Sequence, residues 1–361
     1  MNLELKIKLK KVLVIVIIWV VIGGWITCYD YFSIASLKEQ GFDDVQFNFS
    51  LNLLFNCLAG FIGGTLGGSF LIFYVDEKFS ERSYGYTIIS VLISFILIVA
   101  FITTFLGLIF VPLVQGHSIN SAEGWSAYIA FIQDPLHLKN IIAWSVVVSF
   151  TQLFLQINNK FGPGILFAFI RGKYRTPQYE ERIFMFVDLK SSTTIAEKLG
   201  NELYHRLLKD FFRDLTKPII YNKGHIYQYV GDEVVVSWKL QEGLEENHCL
   251  ECYFQMIRKI SEKSDIYLSR YGQVPEFKAG IHYGKVIAGE IGLVKRDITY
   301  SGDVLNTTAR IQAKCNEYNT KLLISGALLK RLRPQLNHKI QSLGQILLRG
   351  KNQSVELCTL V

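Results

Sequence analysis

Four long stretches of this chain carry almost no charge, and they decide what it can fold into. No side chain is charged between Lys11 and Asp30, between Asp44 and Asp76 or between Lys139 and Lys160, and His117 is the one exception between Arg82 and Glu123. A helix rises about 1.5 Å per residue, so each stretch reaches or approaches the ~20 residues that cross a bilayer core. The pattern predicts membrane helices at about 12–29, 51–75, 85–113 and 139–158, in a membrane domain of residues 1–158.

The first stretch follows Lys6, Lys8, Lys10 and Lys11, as a secretory signal would. It ends in Cys28-Tyr29-Asp30 without a small-residue cleavage pattern, which favours a retained anchor. Gly60, Gly63, Gly64, Gly67 and Gly68 are spaced for close helix contact in the second span, although ordinary membrane-helix glycines would look the same. Basic residues cluster in the N-terminal tail and at Lys160, Arg171, Lys173 and Arg175, whereas residues 30–44 are net acidic and 115–138 contain no lysine or arginine. This asymmetry predicts a multi-pass protein of the cell (inner) membrane with both termini cytoplasmic. No span core carries an acidic or basic residue of the kind that marks an ion path. The expected partners of this half are the lipid bilayer and an unidentified ligand or protein.

A formal net charge of +7 would suit nucleic acid in a soluble chain. Much of the excess flanks the spans, where it suits anionic headgroups, so no nucleic-acid partner is expected. The cysteines fall in or near spans or in the cytoplasmic half, where disulfides are rare. Cys249-x-x-Cys252 has no second pair and lies in a helical pattern, which reads as structural rather than metal-binding.

Gly162-Pro163-Gly164 breaks the fourth helix, and 165–170 followed by Arg171–Arg175 reads as an interfacial segment within a linker of residues 159–179. From Glu180 to the end, residues 180–361, strand and helix patterns alternate as in a mixed α/β or α+β layer fold. Strands are expected at 183–187, 226–229, 234–238, 277–282, 286–291, 322–324, 346–348 and 355–359. Helices are expected at about 194–215, 244–269 and 304–316, and Gly284 is expected to join two strands.

Three short segments carry chemistry. Phe184-Met-Phe-Val-Asp188-Leu-Lys-Ser-Ser-Thr193 is a strand ending in a carboxylate, followed by polar residues that open a helix. Such a junction offers amides to an anion and an oxygen ligand to a cation. Val230-Gly231-Asp232-Glu233 sits between two short strands, where a Gly-Asp pair alone is an ordinary tight turn. Two aspartates so placed also suit two-metal displacement at phosphorus. In Gly302-Asp303-Val-Leu-Asn306-Thr-Thr-Ala-Arg310, Asn306 and Arg310 are four apart and share a helix face. An amide and a guanidinium there can orient a ribose and stabilise a phosphoryl group in flight.

Together with Ala279-Gly-Ile-His-Tyr-Gly284-Lys-Val-Ile-Ala-Gly289, these motifs stand in one order that resembles the catalytic domain of class III adenylyl and guanylyl cyclases, of the membrane-anchored bacterial type. The resemblance runs from Glu180 to the C-terminus. It implies an α+β ferredoxin-like (βαββαβ-type) domain after the α-helical four-span membrane domain, acting as a homodimer with each site built across the interface. It implies that Asp188 and Asp232 hold two divalent ions, Mg²⁺ or Mn²⁺, against ATP. Asn306 and Arg310 would come from the partner chain as catalytic residues. Lys285 and Arg349 fall where the family places phosphate-contacting basic residues, each with arginine and lysine exchanged. Gln228 and Thr299 fall at the base-recognition positions, where adenine-specific members often carry lysine and aspartate and guanine-specific members glutamate and cysteine. Neither residue matches the guanine pair, and a glutamine amide with a threonine hydroxyl can satisfy adenine. The implied activity is conversion of ATP to 3′,5′-cyclic AMP and pyrophosphate, with guanylate cyclase, or a nucleotide-binding receptor with little catalysis, as the alternatives.

Overall fold

The computed structural model describes residues 3–40, 47–75, 78, 84–118, 120–161, 168, 171–294, 296–332 and 339–360. The chain forms two compact units, Met1–Lys160 and Phe161–Val361.

The first unit is helical: α1 (Leu3–Glu39), α2 (Phe49–Phe70), α3 (Tyr84–Val114), α4 (Ala122–Gln133) and α5 (Pro135–Phe161), with a π-helical turn at Leu71–Val75. Among the described residues four helices are long and apolar enough to cross a membrane: Leu5–Glu39, Phe49–Val75, Gly85–Pro112 and His137–Asn158. The first outruns its apolar core because no proline interrupts it and helical hydrogen bonding continues into the polar flanks. Helix α4 falls in a stretch expected to be a loop. It starts behind Ser121, whose Oγ accepts from the Gly124 amide at 3.0 Å, and it carries Glu123 in its first turn.

The glycines of α2 do serve close contact. A Cβ at Gly60 would lie 2.6 Å from the Trp19 carbonyl oxygen, and one at Gly64 would lie 2.8 Å from the Val16 Cα. Small residues therefore let α1 and α2 touch backbone to backbone. Trp19 is buried over this seam and its Nε1 donates to Thr151 Oγ1 on α5 at 3.0 Å. Lys139 Nζ pairs with Asp30 Oδ1 at 2.5 Å, joining α5 to the far end of α1.

The second unit contains β1 (Gln178–Leu189), α6 (Ser192–Tyr221), β2 (His225–Val230), β3 (Glu233–Lys239), α7 (His248–Glu262), α8 (Ser264–Tyr271), β4 (Phe277–Ile291), β5 (Asp297–Ser301), α9 (Asp303–Glu317), β6 (Leu322–Ser325), β7 (Ile340–Ile346) and β8 (Val355–Leu360). The sheet runs β2-β3-β1-β4-β6-β8-β7, with β5 on the far half of β4. In its first four strands each is antiparallel to its neighbour, and α6 and α7 cross between them. This is the expected βαββαβ order, extended at one edge by β6, which runs parallel to β4.

Strand alternation sorts β1 into two faces. Ile183, Met185, Val187 and Leu189 enter the core under α6 and α7, whereas Phe184 and Phe186 join Val235, Val286 and Val304 under α9. The site lies on the α9 face.

Several elements of this unit differ from expectation: β5 forms at Asp297–Ser301 where no strand was expected, β7 lies at Ile340–Ile346 instead of 346–348, and β4 and the helix expected at 244–269 differ as well. The segment 277–291 is one unbroken strand, because residues 277–288 pair with β1 from Leu189↔Phe277 to Gln178↔Ala288 and residues 287–291 pair with β5. Gly284 does not turn the chain. A Cβ there would press on Val304 at 3.1 Å, and one at Gly280 would lie 2.5 Å from the Gln312 amide nitrogen, so these glycines seat α9 on the strand. The helix expected at 244–269 is broken, since Glu246 and Asn247 adopt positive φ (48° and 56°) and Lys263 leaves helical geometry between α7 and α8. The Gly162-Pro163-Gly164 break and nearly all of the 165–170 segment lie outside the described residues.

Candidate active site

Strand β1 carries Asp188 one residue before its end, and the register partners of Asp188 are Glu233 on β3 and Lys278 on β4. The β2–β3 tip, with Gly231 at φ 61°, folds Asp232 beside it. The Leu189 amide donates to the Asp232 carbonyl oxygen at 3.4 Å, and the Asp188 and Asp232 carboxyls lie within hydrogen-bonding reach of each other. Asp188 Oδ2 pairs with Lys278 Nζ at 3.0 Å and accepts from Gln312 Nε2 at 3.1 Å.

Burial raises the Asp188 pKa, Lys278 opposes the rise, and Asp232 adds to it. Burial, then Asp188 and Asp232, pushes the Glu233 carboxyl up to about 7. Crowded, partly desolvated carboxylates of this kind create a demand for positive charge. The donors are all oxygen, which suits a hard divalent cation such as Mg²⁺ or Mn²⁺. Among the described residues no three His, Cys, Asp or Glu side chains form a ligand cluster. A pair of protein carboxylates completed by phosphate oxygens is the usual way to hold Mg²⁺ at a nucleotide.

Just beyond, Ser191 adopts a left-handed conformation (φ 58°) and its side chain does not cap α6. The first-turn amides of that helix stand next to the carboxylate pair, where they can meet an anion.

Helix α9 buries Val304, Thr307, Thr308, Ile311, Gln312 and Cys315. Asn306 is exposed and Arg310 half-buried on another face, about 120–160° around the axis from Gln312 at 100° per residue. Gln312 touches Asp188, so Asn306 and Arg310 point away from the aspartates of their own chain. Arg310 instead runs beside Gly350, where a Cβ would lie 3.6 Å from Nη2. Lys351 pairs with Asp303 in the first turn of α9. Lys285 on β4 and Arg349 before Gly350 are exposed.

Gln228 and Thr299 sit on β2 and β5, with β3, β1 and β4 between them. In a flat sheet four spacings of about 4.8 Å would hold those strands roughly 19 Å apart. Here the Tyr300 amide donates to the Tyr227 hydroxyl at 3.3 Å, so the sheet curls strongly enough for a side chain of β2 to reach the backbone of β5. Ile226 pairs with Val236 and Gln228 with Val235, which makes Tyr227 the extra residue of a bulge. Ile226 and Tyr229 face the α6 side, the Tyr229 ring meeting Phe212 at a tilt with centroids 4.8 Å apart, while Tyr227 joins the cluster under α9. By alternation, Gln228 lies on the same side as Tyr227. Thr299 pairs with Gly289 across β4 and donates to its carbonyl oxygen at 3.5 Å.

Residues 174–359 match the family described as Adenylate and Guanylate cyclase catalytic domain. The chain belongs to this family. The cyclase domain so defined takes in all eight candidate site residues. Among relatives, adenylate cyclase 2 of Rhizobium meliloti (strain 1021) is 33% identical over 222 residues, 61% of this chain and 61% of its own length. Adenylate cyclase 1 of the same organism is 26% identical over 189 residues, 50% of this chain and 28% of its own length. The chain thus spans about three fifths of the first relative and less of the second. The likeness to adenylate cyclase 2 is longer than the 174–361 segment, so it continues upstream of the cyclase domain. A solved bacterial light-regulated adenylyl cyclase shares the fold, with a TM-score of 0.52 at 21% identity over 60% of this chain and 63% of that one.

Three contacts of the cyclase domain were not foreseen. Lys278 and Gln312 hold Asp188, and Tyr227 reaches β5. Gln312 left one trace in the sequence, a polar residue on the otherwise small or apolar stripe of Val304, Thr308, Ile311 and Cys315. Cys249 and Cys252 are buried, and burial pushes the Cys249 thiol up to about 12 and the Cys252 thiol well above its ordinary value, so both are held as thiols.

Proposed function

We propose that the chain is an adenylate cyclase that converts ATP to 3′,5′-cyclic AMP and pyrophosphate at sites shared across a homodimer. One observation carries the reading. The carboxylate pair and the Asn306–Arg310 pair of a single chain face different ways, so a complete site calls for a second copy.

In such a dimer Asp188 and Asp232 of one chain would hold the divalent ions, which when bound supply positive charge at the triphosphate and acidify the ribose 3′-hydroxyl. Asn306 of the other chain orients the ribose so that its 3′-oxygen lies in line with the α-phosphate. Arg310 stabilises the charge that builds on that phosphorus as the new bond forms and pyrophosphate leaves. Lys285 and Arg349 bind phosphate oxygens, and Gln228 and Thr299 bind the base. The apolar, exposed β4–β5 tip, with Ile291, Leu293 and Val294, is surface that a partner copy can cover. The membrane unit crosses the inner membrane four times, leaves both termini and residues 180–361 in the cytoplasm, and regulates the enzyme through the linker at 159–179.

A product assay on purified full-length protein, with ATP and GTP in parallel and Mn²⁺ or Mg²⁺ supplied, tests the reading. Cyclic AMP and pyrophosphate from ATP are expected. Cyclic GMP as the main product would replace the substrate, and no product with either nucleotide would overturn the activity.

A further inference from the structure

We infer that Tyr227 is a specificity-determining positioning residue, whose hydroxyl ties β2 to β5 and so sets the gap between Gln228 and Thr299. The inference rests on the base-recognition role proposed for those two residues.

The bulge at Tyr227 does two things at once. It turns the phenol across the α9 face of the sheet, and it shifts Gln228 onto that same face. Without the extra residue, alternation would point Gln228 toward α6. The Tyr227 hydroxyl then accepts from the backbone amide of Tyr300, the residue next to Thr299, at 3.3 Å. Each end of the link is therefore one residue from a base-recognition side chain.

The link is also stiff. The Tyr300 ring is clamped between the Tyr227 ring, at 4.9 Å between centroids, and the Arg182 guanidinium, 4.4 Å from the ring centre. Arg182 is buried and fixed in turn by Glu180 Oε2 at 2.7 Å and Ser237 Oγ at 3.2 Å. Gln228 itself is exposed. A half-buried strut, backed by the buried Arg182, thus sits directly beside an exposed polar side chain.

Chemistry supplies the reason for such a strut. A lysine and aspartate pair would carry base discrimination in its charges. A glutamine amide and a threonine hydroxyl can each donate or accept, so rotation alone would let them suit either adenine or guanine. Discrimination by a neutral pair then depends on holding both groups at one spacing, where only one base edge meets both.

The test is the Tyr227→Phe variant of the full-length chain, which keeps the tilted ring contact with Tyr300 and removes the hydroxyl. Values of kcat/KM for ATP and for GTP are compared at a temperature where variant and wild type are both folded by circular dichroism. The preference ratio should fall roughly fivefold, through KM of the preferred nucleotide, with kcat within about twofold. Gln228→Ala and Thr299→Ala are measured beside it. An unchanged ratio in Tyr227→Phe when either alanine variant alters it would overturn the strut while leaving base recognition intact. No change in any of the three would overturn the base-recognition role and the strut together. Equal losses with both nucleotides in Tyr227→Phe would mean a merely structural residue and would also overturn the inference.

Discussion

Lys278 and Gln312 converge on a single oxygen of Asp188, at 3.0 and 3.1 Å. One donor comes from the neighbouring strand and the other from the buried face of α9, so the carboxylate plane is fixed from two sides. Both donors use Oδ2, and Asp232 lies within hydrogen-bonding reach of the same carboxyl. Partners that orient a ligating group typically matter 10–100-fold to metal binding. Gln312→Leu should raise the Mn²⁺ concentration for half-maximal activity by about 10-fold, with little change in maximal rate at saturating metal. An unaltered metal titration would show that Gln312 only packs.

The opposite facing of Gln312 and Asn306 on α9 predicts complementation. Asp188→Ala and Arg310→Ala should each be inactive alone. In a random mixture half the dimers are mixed, and each mixed dimer has one intact and one doubly damaged site, so about a quarter of wild-type activity should return. Absence of recovery in co-expressed, co-purified dimers would place each site within one chain.

Glu233 gives a pH signature. Its folded value near 7 stands above its ordinary 4.5. A raised value in the folded chain means a contribution to stability that is fully present below about pH 4.5 and is lost as pH rises through about 7. With divalent ions chelated, Glu233→Gln should therefore melt about 2–4 °C above wild type at about pH 8, and the gap should close by about pH 4.5. A gap of the same size at both pH values would not come from this carboxyl.

Gly280 seats α9. A Cβ there would meet the Gln312 nitrogen, Cα and Cβ at 2.5–2.7 Å, and a backbone cannot yield as a flexible side chain does. Gly280→Ala should lower stability by about 2–3 kcal/mol and reduce activity by displacing Gln312 from Asp188. Thermal melting and a Mn²⁺ titration together check both consequences.

Cys249, Cys252 and Cys315 are buried and their thiols are pushed up by burial, two of them to about 12. Alkylation of the folded protein followed by mass spectrometry should leave these three unmodified, and denaturant should release all of them. Rapid labelling of Cys249 or Cys252 without denaturant would contradict this packing.

Much of the fold was legible because its signals are local. The uncharged runs marked the four spans, and short apolar runs with flanking turn signals marked most strands. Where a local signal had two meanings the reading failed. Gly284 looked like a turn because glycine allows one, yet the strand continues and the missing side chain serves the approach of Val304. Helix α4 was hidden in a polar connection, and the helix expected at 244–269 concealed two breaks at residues with positive or non-helical angles.

The sequence by itself determined which groups are present and their order along the chain. Local patterns placed Asp188 near a strand end, Asp232 at a hairpin tip and Asn306 and Arg310 on one helix face, but taken singly each fits an ordinary cap, turn or surface residue, and their roles follow from the resemblance of the ordered motifs to class III cyclases. What only the tertiary structure decided is who meets whom. Lys278 and Gln312 reach Asp188 through register across β1–β4 and the seating of α9, and Tyr227 reaches Tyr300 because a bulge and a curled sheet bring together strands that order alone would separate. Periodicity assigns the face of a side chain only where a strand is unbroken, and the bulge at Tyr227 reverses it for Gln228. The distance across that face depends on twist, bulges and packing summed over the whole sheet, which no local stretch of sequence contains.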